Sequence, residues 1–349
     1  MKHQTTRYGE IPFYKIGTFG NTADAFISKK LFLEYKTKYS FPKKGDILIS
    51  ASGTIGRAVI YDGKPAYFQD SNIVWIDNDE TLVKNDFLFY AYSNVKWNTE
   101  HTTILRLYND NFKNTLIPLP PLNEQIAIAN ILSDLDRYLC TLDALILKKE
   151  GVKKALSFEL LSQRKRLKGF NQAWQKVRLG DIANYSTSNL SVEQITQQGK
   201  IKVYDVNNFI GYTDTTFISD KPYISIIKDG SVGRVRILPP KTNILSTMGA
   251  LIANHRTTTE FLFYLLSNFD FKNFTSGSII PHIYFKDYKE KTIFLPPLNE
   301  QSAIANILSD LDNEITSLKN KKRQFENIKK ALNHDLMSAK IRVLKKSVL

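Results

Sequence analysis

Residues 119–136 read LPPLNEQIAIANILSDLD, and residues 295–312 read LPPLNEQSAIANILSDLD. They differ only where Ile126 faces Ser302, and Leu119 answers to Leu295 at an offset of 176. The offset holds without a gap as far as residues 152–156, VKKAL, against 328–332, IKKAL. Chance does not produce such a match, so the chain is built as a repeat. A proline pair before the start, Asn123 as a candidate cap and Glu124 in the first turn are helix-start signals. Apolar residues then recur with 4-3 spacing at Ile128, Leu132, Leu135, Leu139, Leu142 and Ile146. The second copy has Ile304, Leu308, Leu311, Ile315 and Leu318, then Phe325, Leu332, Leu336 and Val343. A spacing of 3.5 over several heptads is a coiled-coil seam. Helices of about 45 residues are expected over 122–168 and 298–349, each about 68 Å long at about 1.5 Å per residue. Lys149, Lys153, Lys322 and Lys329 interrupt the seams, which predicts looser or wetter packing there.

Charge says how the helices pair. Residues 122–147 carry one basic and four acidic side chains, while 148–168 carry eight and two. Residues 298–318 carry none and four, and 319–349 carry ten and two. A parallel pair would set the basic halves side by side. An antiparallel pair sets each acidic half against a basic one and gives an approximate internal two-fold axis. The alternative is two separate amphipathic helices on separate domains.

Upstream of each helix the likeness weakens. Gly53-Thr54-Ile55-Gly56-Arg57 matches Gly230-Ser231-Val232-Gly233-Arg234, and 108–113 matches 284–289. The run 9–14 can be laid on 199–204, while nothing ahead of Gly9 answers to WQKVRLGDI at 174–182. About one strand's worth of the first copy is therefore expected to be missing. Short β-like runs (47–49, 58–60, 73–76, 235–238), buried helices near 87–92 and 261–266, and Asp-Gly turns predict two compact α+β domains, 1–121 and 169–297.

The 349 residues carry 48 Lys plus Arg against 34 Asp plus Glu, a net charge of +14. Outside the two basic half-helices the balance is 30 to 30, so the excess speaks first for the coil and second for a polyanion. One cysteine, Cys140, excludes a disulfide framework and fits a reduced cytoplasm. No apolar run is long enough for a membrane span. Phosphate-loop, HExxH and GxSxG motifs are absent from the sequence, and the five histidines are scattered, so neither a catalytic residue nor a metal site is expected. The G-[ST]-[IV]-G-R pair reads as a tight glycine turn, with backbone amides and Arg57 or Arg234 suited to phosphate. Thr102, Thr103 and Arg106, like Ser278 and His282, sit in short runs able to reach base edges or phosphates; an exposed polar loop explains them equally well.

With LPPLNEQ and its helix repeated after a divergent globular segment, the chain resembles a type I restriction–modification specificity (S) subunit over nearly its whole length. Supporting motifs are Val177-Arg178-Leu179-Gly180-Asp181-Ile182, Gly45-Asp46-Ile47-Leu48 leading to Gly53–Gly56, and Pro281-His282-Ile283. The resemblance implies two target-recognition domains, each reading a few base pairs of double-stranded DNA in an asymmetric bipartite target. It also implies an antiparallel coil that spaces them and docks two methyltransferase (M) subunits, with restriction (R) subunits joining. S-adenosylmethionine would act in M, and ATP with magnesium in R; this chain would hold no cofactor and catalyse nothing. The expected DNA-contacting residues are Arg57, Thr102, Thr103 and Arg106 in the first domain, and Arg234, Arg236, Ser278 and His282 in the second. Partner contact is expected at Leu122, Asn123, Glu124 and Gln125, and at Leu298, Asn299, Glu300 and Gln301. The alternatives are a coiled-coil adaptor that reads no DNA, an inactive or truncated specificity subunit, and a self-contained methyltransferase or nuclease. A cytoplasmic bacterial or archaeal protein is expected.

Overall fold

The computed structural model describes residues 4–68, 72–97 and 106–344. Thr102 and Thr103 lie outside them. The chain divides into two compact units that each take half of both long helices: Met1–Asp143 with Asn320–Leu349, and Ala144–Lys319. Along the chain the elements run globular segment, long helix, globular segment, long helix, and each unit draws on both helices. The reason is that each globular part buries its apolar face against the start of its own helix and the end of the other repeat's helix.

Unit 1 runs β1 (Ile11–Tyr14), β2 (Phe26–Ile27), α1 (Lys29–Lys38), β3 (Ile47–Ser50), β4 (Ala58–Ile60), β5 (Tyr67–Phe68), β6 (Ile73–Trp75), α2 (Asn85–Tyr92), α3 (Asn109–Lys113), and then enters α4 (Leu122–Leu161). Two three-stranded sheets form, in the orders β2-β1-β5 and β4-β3-β6. All four residues of β3 are buried, as befits an Ile-Leu-Ile run in the middle of a sheet. Helix α1 begins where the Ser28 hydroxyl accepts the Leu31 N–H at 3.2 Å.

Unit 2 runs β7 (Gln175–Arg178), β8 (Ala183–Thr187), β9 (Ile201–Tyr204), β10 (Phe209–Thr213), β11 (Tyr223–Ile227), β12 (Val235–Leu238), β13 (Thr242–Ile244), β14 (Met248–Ala253), α5 (Thr259–Ser267), β15 (Thr275–Ser276), β16 (His282–Ile283), α6 (Phe285–Tyr288), β17 (Thr292–Leu295) and α7 (Leu298–Met337). Its sheets repeat those of unit 1 as β10-β9-β13 and β12-β11-β14, with β8 added to the second sheet and β7 paired to β17.

Both long helices have 40 residues, about 60 Å at about 1.5 Å per residue, and stop earlier than expected. Gln163 and Ala339, the second residue past each end, adopt φ of 61° and 55°. Backbone bonds from the Lys165 N–H to Glu159 O and from the Ile341 N–H to Asp335 O close the two ends. No glycine or proline marks these left-handed stops, so the sequence did not announce them.

In unit 1, Glu124 pairs with Arg342, Asp136 with Lys329 and Asp143 with Lys322. Numbers rise along α4 as they fall along α7, so the two helix segments run antiparallel. Unit 2 has the same sense: Glu150 with Lys319 at 2.6 Å, Lys153 with Asp312 at 2.5 Å, Arg166 with Glu300 at 2.6 Å. The lysines expected to loosen the seam are its interhelical ion pairs, and Lys149 reaches Glu314 at 2.7 Å. Between the charges lie apolar cores. Phe87, Tyr90 and Ala91 pack on Ile128, Leu132, Leu336 and Met337; Phe261, Leu262 and Tyr264 share a core with Ile304, Leu308 and Leu160. Each large apolar side chain among these contributes roughly 1.5–3 kcal/mol on burial, several times an exposed ion pair. The charges therefore select the pairing while the apolar faces hold it.

Candidate nucleic-acid interface and helix latches

The glycine turns of the two units share one geometry. The Gly56 N–H bonds Ser50 O and the Gly233 N–H bonds Ile227 O, each at 2.9 Å, with φ of 81° at both glycines. A Cβ at Gly56 would lie 2.2 Å from the Trp97 ring, and one at Gly233 2.6 Å from Phe271. Only glycine serves where a left-handed turn lies against an aromatic ring.

Beside each turn the structure places the second motif that the sequence singled out. Ser52 bridges to Arg106 and Asp229 to His282 through antiparallel backbone pairs. The Leu107 N–H bonds Ala51 O at 2.8 Å; the Gly230 N–H bonds Pro281 O and the Ile283 N–H bonds Lys228 O, both at 2.9 Å. Two segments far apart in sequence thus form one edge in each unit. The side chains differ: His282 Nδ1 meets Asp229 Oδ1 at 2.6 Å, whereas Ser52 Oγ donates to Asn72 Oδ1. Ser278 stands in an exposed loop whose tip, Ile279, is 92% exposed.

Arg234 and Arg236 lie together at the turn between β9 and β10. Arg234 Nη2 donates to Asn207 Oδ1 at 3.1 Å, Arg236 Nη1 donates to Asn207 O at 2.8 Å, and the Arg236 guanidinium lies 5.3 Å from the Tyr204 ring centre. A planar guanidinium held on a ring, as that of Arg236 is, keeps donors free for phosphate or a guanine edge. Arg57 is used differently, because its Nη1 bonds Phe19 O at 2.9 Å. Sequence reasoning missed Asn207, Tyr204 and Asp229; the Asp-Gly turn at 229–230 was the available signal for the last. Burial, with the nearby Asp229 charge second, pushes the Tyr185 phenol up, so it stays neutral in the sheet beneath this edge.

The LNEQ segments divide their work. Asn123 and Asn299 each accept the next residue's N–H at 2.9 Å inside the first helical turn rather than at the cap position. Gln125 donates to Leu82 O and Pro120 O and accepts from the Lys84 N–H. Gln301 donates to Arg256 O and Pro296 O and accepts from the Thr258 N–H and the Thr257 hydroxyl. The Gln301 amide is thereby saturated, and Gln125 uses both donors and one acceptor position. Glu124 and Glu300 are buried too, engaged by Arg342 and Arg166, and Trp174 Nε1 donates to Glu300 Oε2 at 2.9 Å. The hydrogen-bonded Arg342 guanidinium holds the Glu124 carboxyl below the usual range. Within the LNEQ segments the Glu and Gln side chains point into the chain, while Leu122, Asn123, Leu298 and Asn299 are exposed.

A second repeated device sits about three helical turns further along each long helix. Tyr90 donates to Asp136 at 2.8 Å with Lys329 on the same carboxylate; Tyr264 donates to Asp312 at 2.9 Å with Lys153 there. Among the described residues no group of three or more His, Cys, Asp or Glu is placed to hold a metal ion. No helix among them is long and apolar enough to cross a membrane.

Residues 1–149 and 171–327 match the family model for the type I restriction modification DNA specificity domain. The chain belongs to that family. A specificity-subunit protein of Haemophilus influenzae is 65% identical over 133 residues, which is 38% of this chain but 34% of that protein. The chain therefore matches about a third of that relative's length. The type I restriction enzyme MjaVIII specificity subunit of Methanocaldococcus jannaschii is 26% identical over 362 residues, covering 92% of this chain and 84% of that one. The fold is that of the type I restriction–modification S subunit of M. genitalium: TM-score 0.64 at 21% identity, covering 97% of this chain and 91% of that chain. In specificity-family terms, the two matched stretches are the two repeats described above.

Proposed function

We propose that this specificity-family chain reads a bipartite, asymmetric site in double-stranded DNA, one half per unit, and itself catalyses nothing. The observation that carries the reading is the contrast within each unit. The latch residues Glu, Gln, Asp, Tyr, Lys and Arg recur at equivalent places in both, whereas the turn edges carry Asp229–His282 in one and Ser52–Arg106 in the other. Equal scaffolds suit two copies of one partner, and unequal edges suit two different half-sites. In unit 2, Arg234, Arg236, Ser278 and His282 would make the contacts, and one bidentate base contact is worth about 1–3 kcal/mol of discrimination. In unit 1, Arg57 and Arg106 take that role with Thr102 and Thr103.

The helix pair docks two M subunits, which bind S-adenosylmethionine and methylate adenine, and R subunits, which use ATP and magnesium, join in the cytoplasm. Selection of bound duplexes from random DNA by the chain with its M subunit, at about 0.15 M salt where non-specific contacts weaken, tests the reading. Two short conserved blocks with a fixed gap are expected. Enrichment of no sequence would leave only a coiled-coil adaptor.

A further inference from the structure

The backbone bridges at the turn edges put Ser52 in the place of Asp229 and Arg106 in the place of His282. Arg106 carries donors and no acceptor. A histidine can offer either, and here one hydrogen bond decides which. His282 Nδ1 meets Asp229 Oδ1 at 2.6 Å. An ionised carboxylate only accepts, so Nδ1 carries the proton, and in the neutral ring Nε2 keeps its lone pair.

That lone pair is left to something outside the chain. Among the described residues neither the imidazole nor the Asp229 carboxylate has another hydrogen-bond partner. The two side chains are 35% and 31% exposed. Gly277 keeps the ring edge beside Nε2 clear, since a Cβ there would lie 3.1 Å from His282 Cδ2. The backbone under the ring is fixed on both sides: His282 pairs with Ser276 of β15, and the Ile283 N–H bonds Lys228 O. The nearby titratable groups are Tyr284, whose ring centre lies 6.5 Å from that of His282, Lys286, 5.5 Å from the Tyr284 ring centre, and neutral Tyr185 near Asp229. None of them bonds Nε2. The result is a fixed acceptor on an exposed edge.

We propose that Asp229 is a specificity-determining residue of unit 2. By holding the His282 proton on Nδ1, it makes Nε2 an acceptor for the exocyclic amino group of an adenine or a cytosine in the major groove. This rests on the reading that unit 2 contacts DNA. Phosphate oxygens, guanine O6 and N7, and thymine O4 only accept, and so give Nε2 nothing to bond. Arg106, at the equivalent place in unit 1, needs those acceptors, guanine above all. One repeated scaffold thus presents opposite hydrogen-bond senses at the same point of its two edges, and this fixes which strand of the unit 2 half-site carries the amino-bearing base. Asp229 acts through His282 and is a positioning residue.

The test takes the full chain, alone and with its M subunit. Nitrogen NMR of histidine-labelled chain at about pH 8, where an imidazole is neutral, should find the His282 proton on Nδ1. Asp229→Ala should spread it over both nitrogens. A proton on Nε2 in the unchanged chain would overturn the proposal. Duplexes carrying the selected sequence are then made with the exocyclic amino group deleted from one adenine or cytosine at a time. At one position the deletion should weaken binding by about tenfold, the worth of one hydrogen bond. The same deletion should cost little in Asp229→Ala, and little in His282→Arg, which has no acceptor to lose. Amino deletions that cost the unchanged chain and both variants alike at every position would overturn this proposal alone. Failure of the unchanged chain to select any sequence would overturn the DNA reading and this proposal with it.

Discussion

Unit 2 and unit 1 use the same latch and differ in what stands behind it. Glu300 is wholly buried, bound by Arg166 and by Trp174; Glu124 is bound by Arg342, whose side chain is 44% exposed, and no Trp is described beside it. The comparison teaches that the identical LNEQ text closes two units of unequal depth. The four-residue identity needs no partner to explain its Glu and Gln, because each must bond inside its own unit.

The largest effect should follow loss of the deeper latch. Glu300→Ala leaves Arg166 and the Trp174 N–H without their acceptor, and should cost about 3 kcal/mol of unfolding free energy. Glu124→Ala should cost about half as much by the same reasoning, because Arg342 can turn to water. Denaturant melts of the two variants measure both, and equal losses would break the comparison.

Next come the glutamines. Gln301→Leu and Gln125→Leu each strand buried backbone groups, at about 1–3 kcal/mol, with Gln301 the greater since it also holds the Thr257 hydroxyl. Melts of the single variants check the order.

Acid should separate the units more gently. The folded Glu124 carboxyl titrates below its unfolded value, so its contribution is present at neutral pH and is lost as pH falls through the folded value. Arg342→Gln should therefore flatten the fall in stability below the ordinary carboxylate range, as read by unfolding at a series of pH values. The smallest change is expected at the seam, where Lys329→Met and Lys153→Met should each cost under about 1 kcal/mol. A double-mutant cycle with Asp136→Asn or Asp312→Asn would show whether the Tyr90 and Tyr264 bonds make the carboxylates worth more.

Much of this was legible in the sequence. The repeat placed both helices, and the opposed charge of their halves predicted antiparallel pairing, which Asp136–Lys329 and Asp312–Lys153 embody. The strands expected at 47–49, 58–60 and 235–238 followed from their apolar runs. Three features were hidden for physical reasons. The helix stops use left-handed Gln163 and Ala339, which carry no stop signal. The seam lysines read as defects because their acidic partners lie some 160 or more residues away in the chain, as Lys153 and Asp312 do. The inward Glu and Gln of LNEQ read as surface because charged and amide side chains usually are. At the turn edges, residue type foretold chemistry but not pairing, so Asp229 was missed beside His282, and the Arg57 bond to Phe19 O was not foreseen.

The division of labour between scaffold and edge is tested most directly by mapping modified adenines made by the chain and its M subunit after residues 1–121 are replaced with another such domain. One half of the modified site should change while the other half and the gap stay as they were. A change in both halves, or in neither, would contradict one half-site per unit.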